Sequence, residues 1–264
     1  MSFFRRIVIK VGTNVLAGSD LKLNHQRIKN LSKQLHFLWD QGVEVALVSS
    51  GAVAAGRELR SFHQEDNTII KKQLLASIGQ TKLIENYSKE LQNFSIIAAQ
   101  ALLTKNLFDH STTYSTAKRT LEGLLQNRVI PIINENDLAD DKALLGDNDQ
   151  LAALVTVMLE ADLLLVMSDI DGLYSADPKK NSSAKLIEKV EQVSPEILKN
   201  CEDTRSVGGT GGMSSKLKAV KIVMDSGIPA IITAGKNDNV LEDLWSKKII
   251  GTKFFSNQTK PLFL

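Results

Sequence analysis

Short runs of branched and long apolar residues alternate along the chain with longer stretches of helical period, and that alternation leaves few folds open. "RRIVIKVG", "VEVALVSS", "FSIIAAQALL", "VIPIIN", "DLLLVMSD", "IPAIITAG" and "GTKFF" read as strands. Between them the spacing predicts helices over 26–41, 51–60, 68–92, 115–127, 148–160 and 215–226, with a last short helix before "GTKFF". Strands that are apolar throughout need cover on both faces. The expected fold is therefore α/β, a three-layer αβα sandwich around a mainly parallel central sheet. Ligands of such sheets collect at the carboxyl ends of the strands, so chemistry is sought where the strands stop.

Composition closes off several function classes. Lys plus Arg number 32 against 30 Asp plus Glu, a formal charge of +2 that asks for neither nucleic acid nor an anionic membrane. The longest apolar stretch, "LAALVTVMLEADLLLVM", is broken by Glu160 and Asp162 and is too short for a bilayer span. The opening "MSFFRRIVIKVG" does not resemble a secretory segment, because Lys10 and Gly12 interrupt its apolar run. The expected location is the cytoplasm, and the N-x-S/T triplets at Asn93, Asn181 and Asn257 are chance matches. Cys201 is the single cysteine, and His25, His36, His63 and His110 lie far apart in sequence, so no metal-ligand spacing exists and no protein metal site is expected.

Four strand ends and one glycine-rich stretch carry unusual residues. In "IKVGTN", Lys10 lies inside an apolar strand: it is either a snorkelling lysine or an ammonium held near a phosphate, with Gly12 permitting close backbone approach. In "VSSGAVAAGR", Ser49, Ser50 and Gly51 lead into a helix start, which is either a plain N-cap or an anion seat. The loop "NENDLADDKALLGDNDQ" mixes Asn134, Asp137, Asn148 and Asp149. It is either a solvated acidic loop or a grip on a zwitterion, whose ammonium needs acceptors and whose carboxylate needs donors. "LLVMSDIDGLYSADP" ends its strand at Ser168 and Asp169, and its "DG" and "DP" pairs signal turns. Finally, "SVGGTGGMSSK" lacks Walker A spacing, yet converging glycine N–H groups and Lys216 at a helix start favour phosphate over a bare surface loop.

Taken together, "KVGTNVL", "VSSGAVAAGR", "KQLLASIGQ", "INENDLA", "GDNDQLAALV", "DGLYSADP" and "GTGGMSSKLKAV" resemble the amino acid kinase family, and within it the members that phosphorylate L-glutamate. The matches run in order over nearly the whole chain. The resemblance implies transfer of the ATP γ-phosphoryl group, with Mg²⁺, to the side-chain carboxylate of L-glutamate, which gives L-glutamyl 5-phosphate for proline synthesis. It implies Lys10 and Lys216 at the phosphates being transferred, Asp149 orienting both lysines, and Gly12 and Gly51 as backbone donors. Glutamate contacts fall on Ser50, Asp137 and Asn148, with Asn134 nearby. Nucleotide contacts fall on Lys10, Ser168, Asp169 and the run Thr210, Gly211, Gly212, Met213, Ser214, Ser215 and Lys216.

The same resemblance implies proline as a feedback inhibitor acting at or near 134–148, and a homo-oligomer, dimer or tetramer, built on the apolar helices between residues 68 and 125. Ser49 and Ser168 stand where threonine is common in relatives, and both keep the hydroxyl. Many relatives carry a further C-terminal domain of the type found in RNA-modifying proteins. The expectation here is a single kinase domain over 1–264 without it, with an acceptor lobe at about 1–160 and a nucleotide lobe at 161–264. Two alternatives stay open: a kinase of the same fold with another acceptor, and a non-catalytic ATP-binding metabolite sensor.

Overall fold

The computed structural model describes residues 4–62, 67–104, 106–139, 148–178, 180–200 and 212–255. In chain order the elements are β1 (Arg6–Val11), α1 (Thr13–Leu16), α2 (His25–Asp40), β2 (Glu44–Ser49), α3 (Ala52–Leu59), α4 (Thr68–Gln92), β3 (Ala98–Leu103), α5 (Asn106–Asp109), α6 (Ser111–Gln126), β4 (Ile130–Glu135), α7 (Asn148–Met158), β5 (Leu163–Ser168), β6 (Lys189–Val190), α8 (Pro195–Asn200), α9 (Met213–Asp225), β7 (Ala230–Ala234), α10 (Val240–Trp245) and β8 (Thr252–Phe254). The eight strands form one sheet in the order β3-β4-β2-β1-β5-β7-β8-β6. All pairs are parallel except β7 with β8.

Two cores sandwich the sheet, and the two-residue period of the strands assigns each side chain to one of them. Ile7, Ile9 and Val11 of β1 join Val45 and Leu47 of β2 under α2, α3, α4 and α10. Val8, Ala46, Val48, Leu164 and Val166 lie under α6, α7 and α9. This is the expected αβα sandwich. Lys10 shares the parity of Val8, so it rises on the side covered by α7 and α9. Strand β1 is central, flanked by β2 and β5. The chain leaves β1 toward β2 and leaves β4 for β5 on the far side of β1, so strand order reverses at β1, where doubly wound sheets open a ligand crevice.

Some boundaries differ from the sequence reading. The strand expected from Phe94 begins only at Ala98, because Ser95, at φ +58°, and Ile96 close the end of α4 by donating to the Gln92 and Leu91 carbonyls. Helix α6 starts at Ser111, earlier than 115, and α7 stops at Met158 ahead of Glu160, whose φ is +48°. The short elements α1, α5, α8 and β6 carry too little periodicity to be read. Strand β8 returns antiparallel to β7, and α10 between them packs against α2, where the Leu241 N–H donates to Gln34 Oε1 at 3.1 Å.

Candidate active site

The crevice at β1 is organised by a buried ion triad. Asp149 has no exposed surface, and Lys10 and Lys216 are 5% and 6% exposed. Lys10 Nζ lies 2.6 Å from Asp149 Oδ1 and Lys216 Nζ lies 3.2 Å from Oδ2. Three separate elements meet here: Lys10 comes from β1, Asp149 from the first turn of α7, and Lys216 from the first turn of α9. Burial alone would push the Asp149 carboxyl up, but the two ammonium groups outweigh it and hold it below the usual carboxylate range. One carboxylate between two ammoniums leaves the buried triad a net +1. That charge suits a polyanion.

Backbone geometry adds to this positive field. Gly51 has φ +111°, a conformation that a β-carbon would strain, and it starts α3 with no side-chain cap. Gly212 starts α9, also without a side-chain cap, so the N–H groups of both first turns keep their partial positive charge for an anion. The Gly12 N–H donates to the Met167 carbonyl at 3.2 Å, on the β5 side of the sheet. A β-carbon at Gly12 would stand 3.6 Å from Lys10 Nζ, an ordinary contact distance, so Gly12 lies directly beside that ammonium.

Ser168 and Asp169 close the β5 side of the crevice. Ser168 Oγ donates to Asp169 Oδ1 at 3.2 Å, and Asn14 Nδ2 donates to Asp169 Oδ2 at 2.9 Å, which ties the turn after β1 to the end of β5. Partial burial raises the Asp169 carboxyl, but these hydrogen bonds, that of its own backbone N–H and the Lys216 charge prevail and lower it. Met213 is buried, Ser214 and Ser215 are half-buried, and Ser215 Oγ has no hydrogen-bond partner among the described residues. Thr210 and Gly211 lie outside the described residues.

On the opposite side, beyond β2 and β4, amides dominate. Asn148 Nδ2 donates to Ser50 Oγ at 3.0 Å and to Asn134 Oδ1 at 2.9 Å, so three of the four expected acceptor-site residues meet in one network. Asp137, the fourth, sits two residues past β4, where burial pushes its carboxyl up against the opposing pull of its own backbone N–H. Its carbonyl accepts from Gln73 Nε2 at 3.1 Å. Three partners escape the sequence reading: Asn14, Gln80, which accepts from Asn134 Nδ2 at 2.8 Å, and Tyr87, whose hydroxyl pairs with Ser49 Oγ at 2.9 Å. Gln73, Gln80 and Tyr87 recur at a seven-residue spacing on α4. That spacing is the available signal.

The described residues hold no group of three or more His, Cys, Asp or Glu placed to bind a metal ion, and no helix among them is long and apolar enough to cross a membrane.

Comparison with known proteins agrees with this geometry. The model of the amino acid kinase family matches residues 5–234. Curated relatives include "Glutamate 5-kinase" of Thermoanaerobacter sp. (strain X514), 45% identical over 97% of this chain and 69% of that protein, and "Glutamate 5-kinase" of Deinococcus radiodurans, 40% identical over 97% and 70%. Among solved structures, carbamate kinase from Giardia lamblia bound to AMP-PNP superposes with a TM-score of 0.70 at 14% identity, covering 97% of this chain and 100% of that one. UMP kinase from Bacillus anthracis gives 0.66 at 16% identity, over 96% and 97%. At those identities the solved structures share the fold alone. With a family model over residues 5–234 and relatives at 40–45% identity across nearly all of its length, this chain belongs to the amino acid kinase family.

Proposed function

We propose that the protein transfers the γ-phosphoryl group of ATP to the side-chain carboxylate of L-glutamate, making L-glutamyl 5-phosphate, the first step of proline biosynthesis. The observation that carries this reading is the Lys10–Asp149–Lys216 triad standing next to the amide network of Ser50, Asn134 and Asn148. Asp149 and Asn148 are neighbours in α7, so a single helix start joins the phosphate side to the acceptor side. The curated relatives at 40–45% identity carry the glutamate 5-kinase name, whereas the UMP and carbamate kinases resemble the chain at only 14–16%.

The chemistry needs no general base. A glutamate side chain, with a pKa of about 4.3, is already an ionised nucleophile at pH 7. The obstacle is repulsion between that carboxylate and the triphosphate. Lys10 and Lys216 cancel charge on the transferring group, and Asp149 fixes both ammoniums before substrate arrives, so little reorganisation is left for the transition state. Ser50, Asp137, Asn134 and Asn148 hold the zwitterionic end of glutamate, with Asp137 and the amide carbonyls as acceptors for its ammonium. Ser168, Asp169 and the segment from Thr210 to Lys216 hold the nucleotide.

A Mg²⁺ would arrive on ATP, with Lys10 and Lys216 beside the phosphates it accompanies. It supplies neutralisation of phosphate charge. Proline would compete within the same acceptor pocket, between Asn134 and Asn148. A homo-oligomer is supported by Ile69, Ile70 and Leu74, which are exposed at 54%, 42% and 38% on the first turns of α4. The chain works as one kinase domain in the cytoplasm, with an acceptor lobe over about 1–160 and a nucleotide lobe beyond it.

The test is ATP-dependent phosphoryl transfer, read as ADP release, on L-glutamate beside L-aspartate, N-acetylglutamate and UMP, with the acyl phosphates of the carboxylate acceptors trapped by hydroxylamine. Hydroxamate from L-glutamate is the expected result. Turnover only on another acceptor refutes the acceptor assignment, and ATP binding without turnover on any acceptor favours a sensor.

A further inference from the structure

The Glu135 N–H fixes the orientation of the amide network, and that orientation leaves Gln80 Nε2 and Asn148 Oδ1 buried without hydrogen-bond partners among the described residues. The Glu135 N–H can only donate, and it meets Asn134 Oδ1 at 2.9 Å. Asn134 must then turn its Nδ2 the other way, where it donates to Gln80 Oε1 at 2.8 Å, and Gln80 is obliged to present oxygen. On the other flank Asn148 must present Nδ2 to the same Asn134 Oδ1. Its own Oδ1 is left pointing away, buried and without a hydrogen-bond partner among the described residues. A buried carbonyl oxygen without a donor is costly, and an ammonium group supplies what it lacks.

Gln80 is the far anchor of this relay. It is 9% exposed and projects from α4, which also reaches Asp137 through Gln73 and Ser49 through Tyr87. Two helical turns separate each of these three residues from the next, so they share one stripe, and that stripe touches in turn the loop after β4, the end of β4 and the end of β2. The helix itself is held against α3 by glycine: a β-carbon on Gly79 would collide with the Ala52 carbonyl oxygen and the Gly56 nitrogen. Gln80 therefore sits on a rail whose distance from the site is set by backbone packing.

We infer that Gln80 is a positioning residue of the acceptor site: by accepting from Asn134 it keeps Asn134 and Asn148 turned so that the Asn148 carbonyl oxygen is presented to the substrate ammonium. This rests on the glutamate reading above. Without the Gln80 oxygen, Asn134 Nδ2 becomes a buried donor with no acceptor. The cheapest relief is for Asn134 to swing out, which takes away the group that orients Asn148.

Steady-state kinetics of Gln80→Met and Gln80→Glu test this. Methionine matches the length and removes the acceptor, so the KM for L-glutamate should rise about tenfold or more, while kcat and the KM for ATP stay near wild type. Glutamate at position 80 keeps an acceptor oxygen and should restore the KM to within about threefold of wild type. A Gln80→Met enzyme with wild-type glutamate KM overturns the inference, as does a Gln80→Glu enzyme impaired as badly as Gln80→Met. If Gln80→Met yields no folded protein, Gln80→Glu decides alone, a tenfold rise in its glutamate KM overturning the inference. A wild-type enzyme with no glutamate-dependent turnover would instead sink the proposed function, which separates the two failures.

Discussion

The Lys10 ammonium stands 2.6 Å from Asp149 Oδ1, on a carboxylate with no exposed surface. A lysine on the central strand and an aspartate at a helix start, far apart in sequence, thus make one buried contact that also recruits Lys216. On the proposed reading, removing either lysine strips a full charge from the transferring phosphate and one ammonium from Asp149. Lys10→Ala and Lys216→Ala should each lower kcat by about 100-fold to 1,000-fold or more, the loss typical of a preorganised donor, with the fold kept as judged by circular dichroism. Near-normal turnover in either would remove that lysine from the chemistry.

The triad also sets an acid limit. Asp149 is held below its unfolded value, so its contribution to stability is complete above the ordinary carboxylate pKa of about 3.9 and is lost as pH falls from there through the lowered value. Thermal melts should show the Asp149-dependent stability constant between about pH 5 and 8 and collapsing below about pH 4. A loss centred near neutrality would point to a different group.

Asp137 behaves in the opposite sense. Burial raises its carboxyl, so the fold disfavours its charge, and stability gained from its neutral form is present at low pH and lost as pH rises through the raised value. Asp137→Asn should therefore raise Tm at pH 7. On the proposed reading the same substitution removes an acceptor for the substrate ammonium, and the glutamate KM should rise about tenfold or more, as expected for loss of a charged hydrogen bond. In the wild type that KM should climb as pH falls toward the ordinary carboxylate range, and in Asp137→Asn it should stay flat.

The Gly79–Gly56 contact tests how rigidly α4 is held. Alanine would gain about 1 kcal/mol of helix propensity, but its β-carbon meets backbone atoms of α3 that cannot rotate aside, an overpacking cost of about 1–3 kcal/mol or more. The clash should win. Gly79→Ala should lower Tm by about 2–4 °C for each kcal/mol of net loss, and it should raise the glutamate KM because Gln73, Gln80 and Tyr87 shift together. A stabilised variant with unchanged KM would show that α3 and α4 have room to move apart.

Much of the phosphate side is legible in the sequence. Lys10 stands out as a charge inside an apolar strand, and its parity with Val8 determines that it meets α7 and α9 and not α3 and α4. Asn134, Asn148 and Ser50 are readable because each ends a strand or starts a helix, where doubly wound sheets place their ligands. Gln80 and Tyr87 are not, since polar residues on a long helix normally mark its solvent face and only the tertiary contact turns this stripe inward. The bond from the Gly12 N–H to the Met167 carbonyl is equally hidden, because it depends on β5 pairing beside β1. Thr210 and Gly211, read as nucleotide contacts, lie outside the described residues.

On the proposed reading Asp149 serves the transfer step by holding two ammoniums, not by binding glutamate, and the kinetics of Asp149→Asn against wild type, with ATP saturating, separate these roles. Loss of the carboxylate should cut kcat by about 100-fold or more while the glutamate KM stays within about threefold. A raised glutamate KM with kcat retained would overturn that role and make Asp149 a substrate contact.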